Sequence, residues 1–236
     1  MAKENAITFT AYAKNNLCYK AARKMPQGKA QGIVVHSTGA NNPNLWRYVN
    51  DPVICGENRY KTYYDRPDWL ACPHAVIGKD KDGAVRAAKL LPYDICCWNA
   101  GDGSKGSYNY EPAYLQFEIC EDALDDPAYF KEAFTLAAKL CARWCKNYGI
   151  PIENVVSHKE AHALGYACNH GDPENWLSKF GKDMDWFRKL VLANGEEQEQ
   201  PKQFRVTGTK LVQERGLNQA QGQLKALGFE VSVDEV

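Results

Sequence analysis

The sequence predicts an α/β domain: a central mixed β-sheet flanked by helices, followed by a small C-terminal βαβ segment. Three observations carry this expectation. Short apolar runs rich in β-branched residues recur along the first two thirds of the chain. Between them lie longer stretches whose apolar residues repeat at helical spacing, the pattern of helices packed on a sheet. A polar stretch containing Gly and Pro then sets off a short final piece. With 236 residues, 44% of them apolar and 25% charged, the first part has enough chain to bury a core.

Each element has its own signal. Gly32-Ile33-Val34-Val35-His36 reads as a short buried strand. Ala75 to Gly78 and Ala84 to Arg86 flank Lys79-Asp80-Lys81-Asp82-Gly83, a polar turn closed by glycine, and read as a hairpin. Tyr114-Leu115-Gln116-Phe117-Glu118-Ile119 and Val155-Val156-Ser157-His158 are further strands. The clearest helix starts at Asp126-Pro127, an acidic cap before proline in the first turn. Its apolar residues Phe130, Phe134, Ala137, Cys141, Trp144, Cys145 and Tyr148 recur at helical spacing, and Gly149 closes it. A final helix carries Phe180, Met184, Phe187 and Val191. These elements place one domain over residues 1–193, a linker over 194–203 and a βαβ segment over 204–236. Alone, that last segment buries too little surface to be stable, so it must dock, pair or belong to an incomplete repeat.

Composition excludes several function classes. Twenty-nine Lys+Arg balance 29 Asp+Glu, so the basic footprint of nucleic-acid binding and a polybasic membrane patch are both missing. No apolar run approaches the roughly 18 residues that membrane insertion needs. Met1-Ala2-Lys3-Glu4-Asn5 lacks the basic-then-apolar form of a secretory signal. The nine cysteines are odd in number, follow no framework spacing and include no C-x-x-C pair, which argues against a disulfide scaffold or a zinc ribbon. Cys141 and Cys145 read as small apolar residues of a helix face.

The five histidines are placed informatively. His36 ends one strand and His158 ends another, with His162, His170 and Asp172 close behind. Two strand-end imidazoles and a loop carboxylate supply three ligands and leave a fourth position open, the pattern of a catalytic zinc. Hydrogen-bonded surface histidines are an equal reading of spacing alone. His158-Lys159-Glu160-Ala161-His162 differs from a zincin helix because Glu is third rather than second and no amphipathic helix surrounds it.

His36-Ser37-Thr38, Glu118 within its strand, and His158 with downstream Asp172-Pro173 resemble the zinc-dependent N-acetylmuramoyl-L-alanine amidases of type 2. That fold is shared with T7-type phage lysozyme and the peptidoglycan-recognition proteins. The resemblance extends to Pro73-His74-Ala75-Val76-Ile77-Gly78 and to Trp98-Asn99-Ala100-Gly101, and covers roughly residues 29 to 192 in family order. Ser157-His158-Lys159-Glu160 with Asn169-His170-Gly171-Asp172-Pro173-Glu174-Asn175-Trp176 is most similar to endolysin- and autolysin-like members. The resemblance implies Zn2+ on His36, His158 and Asp172, with Cys168 or His170 as substitutes for the third ligand. It implies Glu118 as the catalytic carboxylate, and puts His170 where members carry an oxyanion-stabilising Lys. A histidine there must donate from its N–H, which makes activity pH-dependent in a way a Lys enzyme's is not. Asn99 replaces a common His and Pro73 replaces the Tyr of T7-like members, so the Tyr-assisted mechanism is not expected.

The implied reaction is hydrolysis of the amide between N-acetylmuramic acid and L-alanine in peptidoglycan, with a muramyl peptide as substrate. His74, Trp98, Asn99 and Trp46 are the expected substrate contacts, and Tyr108 and Tyr110 are further loop aromatics for which ordinary packing is an equal reading. The 101–106 loop is expected to be flexible beside the site. The terminal Leu224-Lys225-Ala226-Leu227-Gly228-Phe229-Glu230-Val231 resembles half of a SPOR repeat, which implies contact with glycan strands. Rival readings are a peptidoglycan binder without hydrolysis and a zinc peptidase acting on the stem peptide. The expected location is the cytoplasm until release, as for a phage lysin, or the cell wall by another route.

Overall fold

The computed structural model describes residues 9–197 and the two helical positions Gly222 and Leu224. The chain divides into two compact units, Met1–Glu199 and Gln200–Val236. The expected βαβ segment over 204–236 therefore lies outside the described residues apart from those two positions, as do residues 198–203 of the expected linker. No described helix is long and apolar enough to cross a membrane.

Six described strands form one mixed sheet: β1 (Phe9–Thr10), β2 (Gly32–Ser37), β3 (Ala75–Lys79), β4 (Val85–Lys89), β5 (Tyr114–Ile119) and β6 (Val155–Ser157). Their order is β1-β4-β3-β5-β2-β6, with only β3 and β4 antiparallel. β2 and β5 are buried along their whole lengths, as parallel strands covered on both faces are. Alternation then sorts their side chains. Ile33, Val35, Leu115, Phe117 and Ile119 join the larger core cluster, while Val34 and Tyr114 join a separate cluster on the opposite face. His36, Gln116 and Glu118 share that opposite face by the same two-residue period.

The large cluster is built on the helix α2 (Pro127–Tyr148). Asp126 caps it by accepting from Ala128 N at 2.9 Å and Tyr129 N at 3.1 Å, and Gly149 ends it in the left-handed region at φ 66°. Phe130, Phe134, Ala137, Cys141 and Trp144 are buried as the periodicity predicts, whereas Cys145 and Tyr148 are only half-buried. Short helices α1 (Leu17–Ala21), α3 (His158–Leu164) and α4 (Glu174–Lys179) precede the last, α5 (Met184–Glu197).

Four features differ from the sequence reading. Phe180 caps the end of α4 rather than opening α5, although its ring still stacks on Phe130 at 4.2 Å. α5 continues through 194–197, the start of the expected linker, because helix propagation needs only one more backbone bond per residue once the apolar stripe has nucleated it. The segment around His158 is helical. Finally, β1 and α1 carry too few residues to show a period.

The β3–β4 turn is held by one carboxylate. Asp80, 4% exposed, accepts from Asp82 N and Ala84 N, both at 2.9 Å, and pairs with the Arg86 guanidinium. Burial pushes its pKa up, but the Arg86 and backbone donors outweigh this and hold it below the ordinary Asp value. A depressed native pKa stabilises the fold above the unfolded pKa and ceases to do so as pH falls through the native one. Asp80→Asn is therefore expected to cost about 1–3 kcal/mol at neutral pH in denaturant unfolding. The gap to wild type should close in acid below about pH 4.

Candidate metal centre and active site

Three elements meet at the C-terminal ends of β2 and β6. His36 lies next to the end of β2, and His158 is the first residue of α3, directly after the adjacent parallel β6. Asp172 comes from the loop before α4 and is anchored by Ser37 N, which donates to its Oδ2 at 3.2 Å. The two imidazoles approach edge to face, with 4.7 Å between ring centroids and 2.9 Å between their Nδ1 atoms. Asp172 Oδ2 lies 3.4 Å from His36 Nδ1, and Oδ1 lies 3.4 Å from His158 Nδ1.

The hydrogen-bond network sets the tautomer of His36. Gln116 Nε2 donates to Tyr108 O and Asn109 Oδ1, so Gln116 Oε1, 3.1 Å from His36 Nε2, must accept. His36 then carries its proton on Nε2 and a lone pair on Nδ1, aimed at the other two donors. Burial pushes the His36 pKa down despite the Asp172 carboxylate, favouring the neutral ring. Asp172 is displaced the other way: burial raises its pKa, but the His158 and His36 rings beside its oxygens outweigh this and hold it well below the usual carboxylate range.

Two imidazole nitrogens and one ionised oxygen suit zinc. A tetrahedral ion with bonds of about 2.0–2.1 Å needs donors about 3.3 Å apart, close to the spacing found. The residues present therefore fit the metal.

Local chemistry explains why His158 is held so firmly. Ser157 and Glu160 form a capping box: Ser157 Oγ accepts from Glu160 N at 2.9 Å and Glu160 Oε2 accepts from Ser157 N at 3.0 Å. Arg188 on α5 clamps both Glu160 oxygens at 3.0 and 3.1 Å. This accounts for the misplaced Glu of the zincin-like pentapeptide. Glu160 is a helix cap, and His162 turns away to place Nδ1 3.1 Å from Ala167 O.

Glu118 sits on β5 directly across from His36. It is 9% exposed, Oε1 accepts from Asn99 Nδ2 at 2.9 Å, and Oε2 is buried without a partner. Burial, then the Asp172 charge, push its pKa up to about 8.

A family model described as N-acetylmuramoyl-L-alanine amidase (Amidase_2) matches residues 26–175, which include His36, Asn99, Gln116, Glu118, His158 and Asp172. The chain belongs to this amidase family. It is 35% identical over 88 residues to N-acetylmuramoyl-L-alanine amidase CwlH of Bacillus subtilis (strain 168). That match covers 37% of this chain and 32% of CwlH, so the chain spans about a third of the curated relative. Solved structures share the fold. The PlyG catalytic domain matches with a TM-score of 0.54 at 20% identity, over 83% of this chain and 100% of that one. Hydrolase AmiA of Staphylococcus aureus, in complex with its ligand, gives 0.52 at 20% over 77% and 78%. A mutant endolysin from Bacillus subtilis gives 0.51 at 22% over 78% and 99%.

The other residues named from the amidase resemblance are placed as follows. His170 lies against His158, with 4.7 Å between ring centroids, and is exposed. Asn99 is near the centre, but its amide is committed to Glu118 rather than free for substrate. His74 is corrected outright. It is fully buried, its Nδ1 accepts from Gln116 N at 3.0 Å, its Nε2 lies 3.0 Å from Ile95 O, and burial pushes its pKa down to about 4. It locks the sheet and has no atom left for a ligand. Trp46 and Trp98 are half-buried against the smaller core cluster. Tyr108 is stacked between Tyr114 at 3.8 Å and Tyr166 at 4.8 Å, which favours the packing reading. Tyr110 is half-buried beneath Arg23 at 4.5 Å. The 101–106 loop is tied down, Lys105 N donating to Gly165 O at 2.8 Å.

Sequence reasoning missed Gln116 and Asn109. Gln116 was findable, since it lies two residues before Glu118 on one strand and so on the same face. Asn109, which accepts from Asn99 N and Ala100 N at 3.0 Å, is a loop residue with no periodic signal. Gln116→Ala should leave the protein folded but weaken zinc affinity about 10- to 100-fold, measured by competition with a chelator.

Proposed function

We propose that this protein hydrolyses the amide between N-acetylmuramic acid and L-alanine in peptidoglycan, with Zn2+ held by His36, His158 and Asp172. Family membership supports the reaction class, and the convergence of two imidazoles and a carboxylate supports the metal. Bound zinc supplies Lewis acidity, polarising a carbonyl and lowering the pKa of water. The observation that carries the reading is the buried, unpartnered Oε2 of Glu118 opposite His36.

An orphaned carboxylate oxygen is costly to bury unless it has work to do. Glu118 is oriented through one oxygen by Asn99, which leaves the other available to take a proton from attacking water and return it to the departing L-alanine nitrogen. A group with a pKa near the working pH does both well. His170, exposed beside His158, would donate a hydrogen bond to the tetrahedral oxyanion, a contribution of about 3 kcal/mol. Gln116 keeps the His36 ring turned with Nδ1 inward.

The test uses purified cell walls and counts new L-alanine amino termini. Glu118→Ala should keep its zinc and lose about 100- to 10,000-fold in turnover. Wild-type turnover in that variant would remove Glu118 from the mechanism. Products with peptide stubs still linked to sugar would instead identify a stem-peptide peptidase. Wall binding with no cleavage by the zinc-loaded wild type would identify a binder.

A further inference from the structure

The far edge of the His158 ring has its own donor set. Cys168 Sγ lies 3.5 Å from His158 Nε2, and donor atoms of His158, Cys168 and His170 all fall within 4.8 Å of one another. The thiol is built into place. Cys168 N donates to Ala100 O at 2.9 Å, and Gly101 provides the space, since a Cβ there would stand 2.7 Å from Sγ. Of the nine cysteines, all free, only Cys145 and Cys168 are not fully buried, and Cys168 is the one flanked by imidazoles.

We propose that His158 Nε2, Cys168 Sγ and a ring nitrogen of His170 form a second cation site, for thiophilic divalent ions, sharing His158 with the His36–Asp172 site. A tetrahedral ion about 2.3 Å from sulfur and about 2.0–2.1 Å from nitrogen sets those donors about 3.5 Å apart, the separation found between Sγ and Nε2. One sulfur with two imidazoles selects Zn2+ or Cd2+ over Mg2+ and Ca2+.

The two sites fill in order. The His36–Asp172 site takes His158 through Nδ1 and, with a carboxylate among its ligands, fills first. Loading the second then displaces the Cys168 thiol proton and the His158 Nε2 proton, both to solvent, leaving a thiolate–metal bond and a bridging imidazolate with no change of oxidation state. Repulsion from the cation already held on Nδ1 of the shared ring makes the second site the weaker one. Filling it ties up His170. On the hydrolase reading, excess cation is therefore inhibitory, because the oxyanion loses its donor.

Cadmium titration of the metal-free full chain tests this. Two equivalents should bind, with the ultraviolet thiolate-to-cadmium band rising only with the second. Cys168→Ser should bind one equivalent without the band, and His170→Ala should weaken the second equivalent while keeping the first. Wild-type binding that stops at one equivalent, a band that rises with the first, or a second equivalent that survives Cys168→Ser each overturns the site. Excess cadmium or zinc should slow wall hydrolysis in the wild type and not in Cys168→Ser. Equal slowing in both overturns the inhibitory role. Two equivalents in a protein that cleaves no muramyl amide would support the site and sink the hydrolase reading separately.

Discussion

The parallel pairing of β2 with β5 is the constraint on which the site depends. Its register sets His36 opposite Glu118 and Val34 opposite Gln116. On the proposed function, three chemically distinct jobs, metal ligation, tautomer control and proton handling, would fall to residues on one sheet face within two pleats. The other face of the same strands is packed with Ile33, Val35, Leu115, Phe117 and Ile119 against α2 and α5. A slip of one residue would bury the imidazole and carboxylate in that apolar layer and expose the aliphatic side chains in their place. The apolar core thereby enforces the polar geometry, since no slipped register can satisfy both faces.

β2 and β5 supply only half of the centre. The other half depends on how the chain leaves β6, and there the decisive group is Glu160, not a histidine. It closes the capping box on Ser157 and receives both Arg188 nitrogens from α5. Arg188 Nη1 also donates to Val155 O at 3.0 Å, so β6, α3 and α5 are tied at one point. Ser157 Oγ adds a bond to Glu174 Oε1 at 2.6 Å, bringing in the helix that follows Asp172. A metal site gains affinity when its ligands lose little freedom on binding, and this lattice freezes His158 and the Asp172 loop together.

Legibility in the sequence followed the reach of periodic signals. β2, β3, β5, β6 and α2 announce themselves because alternation or helical spacing repeats several times within each. The 38–74 segment does not, since it is pinned by scattered side chains rather than by a ladder. Asn16 Nδ2 donates to the carbonyls of Tyr64, Trp69 and Ala71, and Asn58 Nδ2 holds Trp46 O. No local pattern encodes such contacts, whose partners lie 12 positions apart for Asn58 and 48 to 55 apart for Asn16. Motif resemblance singled out His36, His158 and Asp172, which the fold brings together, while Gln116 was missed although strand period places it on the face of Glu118. His74 misled for the opposite reason: a histidine inside a recognisable motif looks functional, while its actual partners, Ile95 O and Gln116 N, are backbone atoms that no residue pattern displays.

Glu118 and Asp172 sit close enough for the Asp172 charge to raise the pKa of Glu118, yet the protein drives them apart. Glu118 is buried and Asp172 half-buried, and that burial alone would push both upward. Asp172 escapes because two imidazoles and Ser37 N surround its oxygens, stabilising the anion. Glu118 has a single amide donor on one oxygen and nothing on the other, so burial prevails. Two carboxylates with opposite displacements divide naturally into a permanent anion and a proton carrier. The permanent anion is the one whose oxygens face the imidazole pair, which is what a ligand requires. The proton carrier is the one with an empty oxygen, which is what a base requires. Exchanging their environments would exchange the two displacements, so on the proposed function the division of labour follows from hydrogen-bond donor placement rather than from residue type.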